Sequence, residues 1–298
     1  MKKDLLTLQD LSLEDFNRIM ALTRDLKHNR PCDNFKPLKD KSIGLIFAKS
    51  STRTRISFEV GVHELGGQPL YLDQSKMQIG RGETIADTAH VLSRYLGGIV
   101  IRTYSHADVQ ELAEKASIPV INALTDDYHP CQILADLFTI IEYSGSLKGV
   151  KVTFFGDGQS NIANSLILAS ALTGIELVVT APEEFKPHDY LLEKAPNARY
   201  EKDPIKASEN ADYLYTDVFV SMGFEEERAR RLQTLAPYQV NMNMIQVAKP
   251  NVKVLHCLPA HRGEEIAAEV MDSDYSIVFD EAENRLHVQK AVMSLLMG

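Results

Sequence analysis

The sequence predicts an α/β protein of two domains, each a parallel sheet flanked by helices, with the active site in the cleft between them. Three observations carry that prediction. Short apolar runs alternate with helix-length amphipathic stretches almost from end to end, the pattern of parallel strands joined by crossover helices. The apolar runs fall into two groups of four or five. The chain's 298 residues, 44% of them hydrophobic and 24% charged, supply enough apolar material for two medium cores.

The strand candidates of the first group are SIGLIFA from Ser42, PLYLD from Pro69, GGIVIRTY from Gly97 and PVINAL from Pro119. Those of the second are KVTFFGD from Lys151, IELVVTAP from Ile175, YLYTDVFV from Tyr213, KVLHCLP from Lys253 and SIVFDE from Ser276. Between the groups Ile133, Leu134, Leu137, Phe138 and Ile141 recur at helical spacing, and SGSLKG follows as a turn. The expected organisation is a first domain over 1–130, a linking helix over 131–145 and a Rossmann-like domain over 146–283. A last helix over 284–298, carrying Leu286, Val288, Val292, Leu295 and Leu296, is expected to join the first domain.

The stretch KSSTRTRISFEVGVHELGG, Lys49 to Gly67, is ambiguous by periodicity, because Ile56, Phe58, Val60 and Val62 alternate like a strand. Its context predicts a helix. A strand candidate stands on each side, Ser and Thr offer N-caps, and Gly66 and Gly67 offer a C-cap.

A formal net charge of −9 without a long basic run excludes a duplex-sized phosphate footprint, so nucleic acid is not an expected partner. The opening residues MKKDLLTLQDLSLEDF turn acidic at once and build neither a signal peptide nor a membrane span. Cys32, Cys131 and Cys257 are widely spaced and form no CxxC pattern, which suggests neither a disulfide framework nor a zinc site and fits a reducing cytoplasm. His256 and His261 beside Cys257 invite a metal reading, but a fourth ligand at usual spacing is missing. No metal and no cofactor is expected.

In open α/β sheets ligands bind beyond the carboxyl ends of the strands. The unusual polar residues collect there: Lys49–Arg55, Arg102, and His129 with Gln132 in the first group; Asp157–Asn161, Asp217–Gly223, and His256 with Cys257 in the second. STRT suits a phosphate dianion, because hydroxyls, helix-start N–H groups and Arg53 donate together. An arginine ending an otherwise apolar strand, as Arg102 does, should face an anion. His129 and Gln132, three apart at a helix start, suit one carbonyl oxygen. On the second wall GDGQSN begins like a dinucleotide fingerprint, but Asn161 stands where the third glycine is required. Asp217 and Ser221 suit an ammonium; the bland alternative is a loop cap. Cys257 reads equally as a buried inert thiol.

Taken together, STRTR at Ser51–Arg55, HPCQ at His129–Gln132, DVFVSMG at Asp217–Gly223 and HCLP at His256–Pro259 resemble the aspartate/ornithine carbamoyltransferase family, and within it the ornithine branch. The resemblance runs to the ENR segment at Glu283–Arg285. It implies that Ser51, Thr52, Arg53 and Thr54 hold the phosphate of carbamoyl phosphate, with Arg102, His129 and Gln132 on the carbamoyl group. It implies that Asn161, Asp217, Ser221 and Met222 hold L-ornithine, and that Cys257, Leu258 and Arg285 lie at the reaction centre. Gln78 matches a position that reaches a neighbouring subunit's site, which implies a homotrimer. The implied reaction yields citrulline and phosphate, with arginine biosynthesis as its setting. One departure is visible: Ser160 stands where the family often has a first asparagine. The rival readings are a related transferase for another amine, a silent regulatory homologue and a nucleotide-dependent oxidoreductase.

Overall fold

The computed structural model describes residues 4–31, 34–79, 82–220 and 225–298. They form two compact units, Met1–Phe138 with Glu283–Gly298, and Thr139–Ala282.

The first unit contains α1 (Leu13–His28), β1 (Ser42–Phe47), α2 (Arg53–Glu64), β2 (Gln68–Asp73), α3 (Ile85–Leu92), β3 (Gly98–Arg102), α4 (His106–Lys115), β4 (Val120–Leu124) and the start of α5 (Pro130–Ser144). Its four strands are parallel, in the order β2-β1-β3-β4. Strands covered by helices on both faces need continuous apolar runs rather than alternation. Ile43, Leu45, Ile46 and Phe47 supply one, and Ile99, Val100 and Ile101 another, all of them buried. The strand order turns between β1 and β3, where Phe47 pairs with Arg102. Such a switch point leaves a crevice beyond the carboxyl ends. Into it run the loop from Lys49 to Thr52 and the side chain of Arg102.

The ambiguous stretch is helical. Phe58 and Val62, four apart, are fully buried, whereas Ile56 is 52% exposed, a helix face rather than a strand face. Residues 283–297 of the last helix pack on α2 within this unit. A Cβ at Gly61 would come within 3.0 Å of Met293 and 3.3 Å of Lys290, so glycine permits the close approach. The buried Lys290 reaches across to Glu64 at 2.6 Å.

The second unit contains β5 (Lys151–Phe155), α6 (Asn161–Thr173), β6 (Glu176–Thr180), α7 (Asp189–Leu192), β7 (Ala198–Tyr200), α8 (Pro204–Ser208), β8 (Tyr213–Thr216), α9 (Arg228–Leu235), α10 (Met242–Val247), β9 (Lys253–His256), α11 (Ala268–Met271) and the start of α12 (Val278–Met297). The five strands are parallel, in the order β7-β6-β5-β8-β9. The order turns between β5 and β8, placing Asp157 and Asp217 just past adjacent strand ends.

Two strand expectations are corrected. SIVFDE is not a strand: Ser276 makes a single bridge to Val254, Ile277 donates to the Val254 carbonyl at 3.0 Å, and helix starts at Val278. Asp280 and Glu281 in the first helical turn complement the helix dipole there. The last helix therefore begins before residue 284. The strand Ala198–Tyr200 is not legible in the sequence because three residues at a sheet edge carry no periodic signal.

Candidate active site

In the first unit, two guanidinium groups converge on one hydroxyl. Thr54, in the first turn of α2, accepts from Arg102 Nη1 at 3.4 Å and from Arg285 Nη2 at 3.2 Å. Arg285 also donates to Gln132 Oε1, and Gln132 Nε2 donates to Asp136 Oδ1 at 2.8 Å. Thr54, Gln132 and Arg285 are buried. Cations gathered this closely repel one another, and an anion placed against them relieves that repulsion.

His129 lies buried beside the same arginines. Burial, with the charges of Arg285 and Arg102, holds it well below its ordinary pKa, so at neutral pH it is an uncharged imidazole. Burial also lowers His106 and His287. Near pH 6.5 the unfolded chain binds protons that these three residues refuse in the folded state, so stability falls as pH falls through that window. The melting temperature is expected to drop by several degrees between pH 7.5 and 5.5. A Tm that stays level or rises on acidification would contradict the assignment.

The phosphate-loop candidates divide. Ser51 Oγ accepts from the Thr54 backbone N–H at 3.3 Å, which shapes the helix start. Thr52 and Arg53 are exposed. Lys49 is buried instead, paired with Asp126 and lying 4.2 Å over the Tyr104 ring. Arg55 is paired with Glu59 at 2.9 Å and stacked 3.8 Å over Tyr71. Of the three cations in this stretch, Arg53 has no carboxylate partner among the described residues. Gln78 is exposed and makes no hydrogen bond to this cluster among the described residues.

In the second unit, Asp217 Oδ1 accepts from the Val218 N–H at 2.7 Å and from Cys257 Sγ at 3.0 Å. Burial pushes its pKa up, against the opposing influence of His256, the Cys257 thiol and the Val218 N–H. His256, at the end of β9, is fully buried: Nδ1 accepts from the Leu258 N–H at 2.9 Å and Nε2 faces Glu265 Oε1 at 3.0 Å. Its backbone N–H donates to Glu281 at 2.8 Å. Leu258 stands between these anchors at φ 59, followed by a cis bond to Pro259. The positive φ costs a branched residue about 1–3 kcal/mol. The His256 contacts hold it, and the turn directs Cys257 at Asp217.

The donor atoms of Asp217, His256 and Cys257 lie within 4.8 Å of one another. A metal needs a free imidazole lone pair. Here Nδ1 is occupied by the Leu258 N–H and Nε2 is directed at Glu265, so this triad does not fit a metal.

Asn161 opens α6 and is half-buried, with Ser160 capping the helix through the Ala163 N–H at 3.2 Å. Ser221 and Met222 lie outside the described residues. The GDGQ turn is fastened to its own chain. Asp157 pairs with Arg231 at 2.8 Å, and the Gly158 N–H donates to the Phe185 carbonyl at 2.9 Å. In a dinucleotide site the corresponding glycine lets a pyrophosphate approach; here the Phe185 carbonyl occupies that side. A Cβ on Gly158 would sit 2.6 Å from that oxygen. Gly158→Ala is therefore expected to destabilise the protein by about 1–3 kcal/mol. Chemical denaturation measures this, and an unchanged midpoint would refute the contact.

Both units match domains of one family. Residues 3–142 match the model described as the carbamoyl-P binding domain of aspartate/ornithine carbamoyltransferase, and residues 148–296 match its Asp/Orn binding domain. The chain belongs to the aspartate/ornithine carbamoyltransferase family. It is 50% identical to an ornithine carbamoyltransferase of Bacillus subtilis over 304 residues, covering 99% of this chain and 94% of that one. It is also 50% identical to that of Methanosarcina mazei, with both chains covered in full. The structure of the Pyrococcus furiosus ornithine carbamoyltransferase superposes with a TM-score of 0.95 at 47% identity, covering 99% of this chain and 97% of that one.

The hydrogen bonds also bring in residues that the sequence alone does not single out. Asp126, Asp136, Glu265 and Gln289 each contact a candidate site residue or the loop that carries one. One signal was available for Asp136. An acid inside the apolar run ILADLF is a charge that must be compensated.

Proposed function

We propose that this carbamoyltransferase moves the carbamoyl group of carbamoyl phosphate to the δ-amine of L-ornithine, giving L-citrulline and phosphate. The convergence of Arg102 and Arg285 on Thr54, beside an uncharged His129, is the observation that carries the reading. A phosphate dianion fits the exposed start of α2 with Ser51, Thr52, Arg53 and Thr54. The carbamoyl oxygen fits between the arginines and His129, which are fixed donors for the charge that develops as the amine attacks. A neutral imidazole donates there without adding a third cation.

The amine must attack uncharged. For a pKa of about 10.4, that form costs roughly 4 kcal/mol near pH 7.4. Asp217 and Cys257 support an amine site, because the carboxylate accepts hydrogen bonds and the thiol already leans on it. The departing phosphate accepts the proton that the amine releases, so no further acid is required. The transfer requires the amine to reach the carbamoyl carbon, and holding both substrates supplies the orientation.

Asn161, Ser221 and Met222 complete the ornithine side of the proposal, with Leu258 beside the reacting amine. A homotrimer in which Gln78 serves the neighbouring site is the proposed assembly. Exposed Gln78, and exposed Ile56, Leu70 and Tyr71 near the edge strand β2, support it. No helix among the described residues is long and apolar enough to cross a membrane. We place the enzyme in the cytoplasm, in arginine biosynthesis.

One assay tests the function: carbamoyl phosphate with, in parallel, L-ornithine, N-acetylornithine, putrescine and aspartate. Ornithine is expected to lead in kcat/KM by at least 100-fold. Preference for any of the other three overturns the substrate.

A further inference from the structure

We propose that Asp136 is a positioning residue for the carbamoyl-phosphate half of the site, acting through the Gln132 amide on Arg285. The proposal rests on the carbamoyltransferase reading. Asp136 is fully buried, one helical turn beyond Gln132 in α5, and its chain neighbours Ile133, Leu134, Ala135 and Leu137 are buried too. A carboxylate in such surroundings persists only where polar groups compensate it.

The bond from Gln132 Nε2 to Asp136 Oδ1, 2.8 Å long, decides which way the amide points. An ionised carboxylate only accepts and a guanidinium only donates, whereas an amide has one end of each kind. With its donor end held at Asp136, Gln132 turns Oε1 to Arg285 Nη1. The reverse orientation would set donor against donor at Arg285 and acceptor against acceptor at Asp136. Asp136 thus selects the orientation in which Arg285 is held and its Nη2 reaches Thr54.

Gln289 completes the frame. With its amide oriented to suit its neighbours, it accepts from Arg285 Nε at 3.2 Å and Nη2 at 3.0 Å and donates to Ser57 Oγ at 2.7 Å. The guanidinium plane is therefore fixed by two amides, each oriented by a partner beyond it. One of those partners is a residue of α2, the helix that carries Thr54, and the other is a buried acid.

A double-variant cycle tests the proposal, using steady-state kinetics with carbamoyl phosphate varied at saturating ornithine. Asp136→Asn removes the charge and the fixed direction; Gln132→Glu sets two carboxylates against each other. The double variant rebuilds a chain of donors and acceptors, because the new amide at 136 donates to the new carboxylate at 132, which accepts from Arg285. Each single variant is expected to lose at least fivefold in kcat/KM for carbamoyl phosphate while KM for ornithine stays within threefold. The double variant is expected to exceed the product of the single effects by at least tenfold. Single losses that multiply, or an Asp136→Asn loss under fivefold, overturn the proposal, since a residue that merely fills the core gains nothing from an acid at 132. If Asp136→Asn does not fold, the double variant decides alone: a folded, carbamoyl-phosphate-saturable protein supports the proposal and an unfolded one overturns it. A parent protein without transferase activity instead overturns the functional reading beneath it, so the two failures are distinguishable.

Discussion

Replacing Arg53 by alanine is expected to lower kcat/KM for carbamoyl phosphate by more than 100-fold with little change in Tm. Arg53 is exposed at the first position of α2, while its neighbours Lys49 and Arg55 are committed to Asp126 and Glu59. Its guanidinium is therefore the cation of the loop left available to a phosphate. Two charge-assisted hydrogen bonds at ~1.5–3 kcal/mol each total about 3–6 kcal/mol, or roughly 150-fold to 25,000-fold in rate. Because the side chain is exposed and carries no packing, stability should be spared. A loss below tenfold would sink the phosphate assignment, and a large fall in Tm would show that Arg53 supports the fold instead.

Asp217→Asn is expected to separate stability from activity. Burial raises the Asp217 pKa above its ordinary value of 3.8, which means that folding disfavours its charged form. Above pH 3.8 the folded state retains a proton that the unfolded state has released, so stability falls as pH rises through that window. Above the folded pKa the full penalty remains. An isosteric amide removes it and still accepts from Val218 and Cys257, so the variant should melt higher at pH 7, with the difference vanishing below pH 4. Activity should move the opposite way. Without a carboxylate to meet the amine, kcat/KM for ornithine is expected to fall at least 100-fold, while KM for carbamoyl phosphate changes little. A variant both less stable and less active would show that Asp217 is a structural acid; one that retains activity would remove it from the amine site. Strained or desolvated acids at functional positions commonly show this trade of stability for activity.

Much of the site is legible along the chain because parallel α/β sheets bring strand ends together. Once Ile43–Phe47 and Gly98–Arg102 are recognised as apolar strands, the residues that follow them are bound for one edge. Thr54, Arg102, His129 and Gln132 are placed by that logic, and the structure gathers them in the first unit. Arg285 is another matter. It lies 231 positions from Thr54 in a long helix with no local mark, and only the resemblance singled it out. The failed strand at Ser276 has a related cause. Its apolar run is identical in kind to a strand's, and the Val254 backbone with the acidic first turn of α12 decided between bridge and helix.

By itself the sequence determined the class of most elements and the kinds of chemistry at each strand end, since periodicity, caps and side-chain type are local properties. Only the tertiary structure decided which charges remain for a ligand. The STRT motif favours Arg53, but only the structure shows Lys49 buried over the Tyr104 ring and paired with Asp126, Arg55 stacked on Tyr71, and Arg53 left exposed. It likewise decided the direction of the Gln132 amide, the uncharged state of His129 and the reluctance of Asp217 to ionise. Each of these depends on partners and desolvation contributed by distant parts of the chain, and an electrostatic environment of that kind exists only once the chain has folded.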